Sequence, residues 1–131
     1  PDLAMSVNNL ANRLSERDQR EPALQAAQRA ADLYRELARQ RPDAFTPKLA
    51  MSLMVLAQRT EDVTGANAAL GHAHEALTTL SPAFMIRPQT HDDLMASFIG
   101  EYLRLCRAVH VKPDAKLLMP LSQFFELPPQ E

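Results

Sequence analysis

A chain of 131 residues is the size of one domain and long enough to bury a core without disulfides or metal. Its residues are 46% hydrophobic but only 5% aromatic, with no Trp, so the core must be built mostly from Ala, Leu and Met, a composition that favours closely packed helices. A formal charge of −2, with both signs mixed along the chain, argues against the concentrated basic face that nucleic acid demands. No apolar run is long enough to span a membrane, and the single Cys106 excludes an internal disulfide. That lone thiol is expected to be a buried apolar residue. The polar start is unlike a signal peptide, so a reducing, cytoplasmic setting is expected.

In chain order, Leu3, Val7, Leu10, Ala11 and Leu14 fall at the spacing of an amphipathic helix. Asp18 stands three residues before Glu21, the spacing of a capping box, with Pro22 in the first turn, where a missing N–H costs little. A second helix is expected from about Gln19 to Gln40. It turns Ala23, Leu24, Ala27, Ala30, Leu33, Tyr34 and Leu37 inward and ends at Arg41-Pro42-Asp43. Thr46-Pro47 reads as an N-cap and first helical residue of a third helix carrying Leu49, Leu53, Leu56 and Ala57. Thr64 reads as the cap of a fourth, from Ala66 to Leu80, stopping near Ser81-Pro82 and about a turn and a half shorter than the second. Residues 82–89 then read as a connection, and Thr90 with Asp93 opens a fifth helix carrying Leu94, Ile99, Tyr102, Leu103 and Cys106 to near His110. Pro120 interrupts the sixth. A short helix from Asp114 and a turn or two up to Glu126 are expected, with Met119, Leu121, Phe124, Phe125 and Leu127 folding back as a lid.

The chain repeats itself. Leu3-Ala4-Met5-Ser6 with Leu10-Ala11 and Arg13 returns as Leu49-Ala50-Met51-Ser52 with Leu56-Ala57 and Arg59, an offset of 46 residues. The same offset aligns Ala96, Ile99 and Ala115 into a third, decayed copy. The units are therefore 1–46, 47–89 and a degenerate cap over 90–127, within one domain of 1–127 followed by a loose tail, 128–131. Pro1 opens the first unit with neither lead-in nor initiator Met, which suggests the C-terminal end of a longer protein.

Two antiparallel helices per unit, with small residues where they cross, resemble the tetratricopeptide repeat (TPR) family. The matching positions are Val7, Leu10-Ala11, Leu14, Ala23, Ala27 and Ala30. They continue as Leu53, Leu56-Ala57, Thr60, Ala69, Ala73 and Ala76, and then Ile99, Tyr102-Leu103, Cys106, Ala115, Met119 and Ser122. The period exceeds the usual 34 residues, and Asn8-Asn9-Leu10-Ala11 is similar to the long repeats of the kinesin-light-chain type. The resemblance implies an all-α superhelix, a TPR-like solenoid of about three helix pairs with a degenerate last pair. The first helix of each pair would line a concave groove for an extended partner.

On that groove the candidate partner-binding residues are Met5, Asn8 and Asn12 of the first helix, with Met54, Gln58 and neighbouring Arg59 of the third. Amides offer a donor and an acceptor to an extended backbone, and methionines add adaptable apolar contact. The terminal-carboxylate clamp of some TPRs is not matched: Asn8 stands where Lys belongs, Val55 where a second Asn belongs, and Ser97 and Glu101 replace a basic pair.

Catalytic patterns are lacking. His72 and His74 point about 200° apart on a helix, the wrong spacing for a shared metal. His91-Asp92-Asp93 reads as a helix's acidic first turn, and Gly65, Gly71 and Gly100 are too scattered for a phosphate loop. The expectation is a protein–protein interaction or scaffold module with a peptide or protein partner, no enzymatic activity, no cofactor and no metal. The alternatives are a spacer for an attached effector or signalling domain, and a self-association module pairing through exposed Ala and Leu of the first helix.

Overall fold

Six helices and a closing 3₁₀ turn succeed one another in the computed structural model, which describes residues 2–127, and no strand occurs among them. The helices are α1 (Asp2–Glu16), α2 (Arg20–Gln40), α3 (Pro42–Thr64), α4 (Ala66–Ile86), α5 (Pro88–Ala108) and α6 (Ala115–Leu118). The 3₁₀ turn covers Met119–Gln123. Each long helix packs on the next in sequence, α1 on α2 through α4 on α5. Among the described residues no helix is long and apolar enough to cross a membrane. Pro1 and the expected loose tail at 128–131 lie outside the described residues.

The burial pattern follows the sequence repeat at its crossing positions in the first two units. Ala4 and Ala50, Val7 and Leu53, Ala11 and Ala57, Ala27 and Ala73, and Ala30 and Ala76 are all buried at matching positions. Alanine at these crossings lets the helices approach closely, which a chain poor in aromatics can exploit. In the third unit Ile99, Leu103 and Cys106 are buried as aligned, but Ala96, Ala115, Met119 and Ser122 are exposed. Leu118 and Leu121 are buried instead, one residue earlier. Pro120 lies in the 3₁₀ turn, whose three-residue period puts residues three apart on one face.

Helix boundaries differ from the local signals at four places. Asp18 does not cap α2. It takes φ 59° just past the end of α1, with its own N–H donating to the Ser15 carbonyl and that of Gln19 to the Leu14 carbonyl. This is a Schellman closure, in which Asp tolerates the left-handed conformation. α3 starts at Pro42, so Thr46 is not its cap and Pro47 lies inside it. The reason is Phe45, which is buried with Ala4, Tyr34 and Ala38 and draws the preceding turn into the helix. α4 runs on through Pro82 to Ile86 and equals α2 in length at 21 residues. Burial of Phe84 at 0% exposure holds its last turn, and the Ser81 hydroxyl donates to the Leu77 carbonyl at 2.7 Å. Hence 82–89 is no connection, and α5 begins at Pro88, two residues before Thr90.

These boundaries expose a second copy of the repeat's punctuation. Arg41-Pro42 and Arg87-Pro88, also 46 apart, each turn the chain with a single residue between helices, at φ/ψ of −138/77° and −134/74°. A residue before proline is biased away from the helical region, and Arg41 and Arg87 lie outside it, so each pair favours its own turn. Between α3 and α4 the single linker is Gly65 at φ 108°, and Thr64 is the last residue of α3 rather than a cap. The lid forms around Phe84, whose ring meets Phe124 edge-on at 5.0 Å and stacks on Phe125 at 5.5 Å; Met119 is not part of it, being 70% exposed.

Candidate functional site

α1 and α3 touch along a seam. Ser52 is buried there and its hydroxyl donates to Asn8 Oδ1 at 3.4 Å, so the Asn8 amide serves the seam. Met54 is turned inward. It is only 4% exposed and belongs to the main apolar cluster with Phe98, Ile99 and Tyr102 of α5. The central helix α3 has neighbours on more sides than α1 does, and a position open in the first unit is covered in the second. What stays accessible on this face is Met5 and Met51, about half exposed, with Asn12 and Gln58 half-buried beside them.

Arg59 is held down at the edge of the face. Its Nε is covered and lies 3.3 Å from Asp62 Oδ2 without the angle of a hydrogen bond. One turn further, Arg104 of α5 reaches across to Glu61 of α3 with two bonds, 3.0 and 2.6 Å, and also holds Glu101 of its own helix. The Arg104 bonds keep the Glu61 carboxyl below its ordinary range, and the same bonds raise Arg104. On the opposite helices Arg35 of α2 and Glu75 of α4 form a matching fork at 2.5 and 3.0 Å, which lowers Glu75. Both forks link one helix pair to the next.

An open cleft of about 470 Å³ lies where the two Arg-Pro turns meet, between Pro42, Asp43 and Pro47 on one side and Pro82, Ile86 and Arg87 on the other, with His91 on its wall. Sequence reading did not assemble it; the signal was the 46-residue spacing of the two Arg-Pro pairs. His72 and His74 are half-buried, and His74 Nε2 lies 2.9 Å from Asp114 Oδ2. Asp114 caps α6 through the Lys116 and Leu117 amides, and the His74 bond first, then these amides, hold its carboxyl below the usual range. Its own N–H donates to the Tyr102 hydroxyl at 2.9 Å. Burial pushes Tyr102 up to about 12 and raises the thiol of the buried Cys106. Among the described residues no three His, Cys, Asp or Glu side chains gather as metal ligands do.

No protein-family model matches the chain, and comparisons with curated proteins and with solved structures return no match. Its class therefore rests on its own architecture, an all-helical chain of consecutively packed helices with an internal repeat. More particularly, the first two units share a matching burial pattern, and α5, the four-residue α6 and the 3₁₀ turn follow them.

Proposed function

We propose that the chain is a TPR-like scaffold module that binds an extended peptide or protein segment across the face shared by α1 and α3. The observation that carries this reading is the pairing of accessible residues at equivalent positions, Met5 with Met51 and Asn12 with Gln58, beside a seam where the remaining equivalents are covered. Methionines supply apolar contact without a fixed shape, and the amides supply paired donors and acceptors for a backbone. In a superhelix of this type α1, α3 and α5 line the concave side. The role is non-enzymatic. Cys106 and Tyr102, buried groups with nucleophilic potential, are both raised by burial and so held protonated, the opposite of an activated nucleophile. A buried reduced thiol suits a cytoplasmic setting.

The test is to pan a display library of random linear peptides on the folded protein and titrate the enriched sequences calorimetrically. Met5→Glu, Asn12→Ala and Gln58→Ala combined should weaken binding at least about tenfold, the equivalent of ~1.4 kcal/mol, with circular dichroism and melting unchanged. Enrichment of nothing, or peptides that bind the triple variant as well as the parent, would leave the array as a spacer.

A further inference from the structure

The flank of α1 that faces away from α3 is apolar and open. Leu3 and Leu10 are 54% and 48% exposed, two helical turns apart, with exposed Ser6 between them on the same stripe. Their equivalents in α3 are Leu49, Ser52 and Leu56. There Ser52 is 0% and Leu56 1% exposed, and Ser52 is bonded to Asn8 of α1. Leu49 is half-buried, so the same helix face is largely covered in one unit and bare in the other, and the seam between units continues onto the outer flank of α1. The alanines expected to join such a surface do not: Ala4 and Ala11 are buried against the molecule's own core.

The ends of this stripe carry opposite charges, exposed Asp2 at one end and exposed Arg13 at the other, and neither forms an ion pair among the described residues. We infer that the flank receives a second copy of the chain, α1 against α1, antiparallel about a two-fold axis. A parallel pairing would set Asp2 against Asp2 and Arg13 against Arg13. Antiparallel pairing sets Leu3 of each copy over Leu10 of the other. It then leaves Asp2 and the opposing Arg13 offset by only about 3 Å along the axis, within the span of an arginine side chain. Two such ion pairs form per dimer. The peptide-binding residues Met5 and Asn12 lie on a different side of α1, so dimerisation and partner binding are independent.

Sedimentation velocity on the whole chain over a micromolar-to-millimolar series tests this. The parent should pass from monomer to dimer, and Leu10→Glu should remain monomeric with its helicity intact; Leu3→Glu, in the exposed first turn, reads the same surface should Leu10→Glu disturb the fold. Asp2→Arg and Arg13→Asp should each raise the dimer Kd roughly three- to tenfold, and combining them should return it to near the parent value, because the swapped charges again face each other. A chain that stays monomeric throughout gives the flank to a different helix and overturns the proposal. So does a dimer that Leu10→Glu leaves intact, or a double swap that fails to restore it.

Discussion

Tyr102 concentrates the chemistry of the C-terminal lid into one side chain. It is 3% exposed, its hydroxyl accepts the Asp114 N–H, and its ring lies edge-on to His74 at 5.8 Å. Burial favours the neutral phenol and lifts its pKa from 10.0 to about 12, and Tyr34 is raised in the same sense. A raised value means the folded state holds the proton longer than the unfolded chain does. The contribution is therefore full below pH ~10 and lost as pH rises toward 12. The melting temperature should stay level through neutral pH and fall in the alkaline range, from about 9 for the raised Cys106 thiol and above ~10 for the tyrosines. Tyr102→Phe should cost about 1 kcal/mol at neutral pH through the lost hydrogen bond and shrink the alkaline fall, leaving the parts due to Tyr34 and Cys106. An alkaline fall undiminished in the variant would assign it elsewhere. At this scale the sequence was a partial guide. Asn12 and Gln58 read as surface amides and remain accessible, whereas Met54 read like Met5 but is buried. Helical period places a residue on a face; how many neighbours cover that face is a tertiary fact no local pattern contains.

For the elements, periodicity located every long helix and the prolines misplaced their ends. Pro47 and Pro82 read as a start and a stop, yet both lie inside helices, because burying Phe45 and Phe84 outweighs one missing backbone bond each. The glycines separate local from tertiary causes in a way experiment can resolve. Gly65 has φ 108° with nothing within 4 Å of an added Cβ, so Gly65→Ala should cost roughly 1–3 kcal/mol purely from backbone strain. Gly71 and Gly100 are exposed inside helices with the same free space, and alanine there should stabilise by about 0.5–1 kcal/mol. Urea denaturation of the three variants checks both signs, and a harmless Gly65→Ala would mean that this turn can relax. Crossing alanines should behave oppositely. Ala27→Leu or Ala73→Leu, at 0% exposure, should destabilise by roughly 1–3 kcal/mol through overpacking, and melts matching the parent would refute the close crossing.

Across the whole molecule, cohesion passes from each helix to the next, and among the described residues three links to carboxyl groups span the units beside the Ser52–Asn8 bond: Arg35–Glu75, Arg104–Glu61 and His74–Asp114. All three carboxyls are lowered, so their contributions are present above the unfolded carboxylate range near pH 4 and lost as pH falls through the lower folded values. The groups are partly exposed and screened, so acid should loosen the array gradually, and high salt should shrink the pH-dependent part. Because the contacts run mainly between consecutive helices, an end segment has few partners to hold it and can open before the rest. The lid is that end. Asp114 bonds His74, caps α6 and offers its N–H to Tyr102, while Phe84 packs Phe124 and Phe125. Asp114→Ala removes both the cap and the His74 link but leaves the aromatic cluster. Hydrogen exchange of the variant should lose protection across residues 115–123 and in the last turn of α4 around Phe84, while the buried helices α2 and α3 exchange as in the parent. Loss spread evenly over all helices would instead mean that the array folds as one cooperative block, with the lid an integral part of its core.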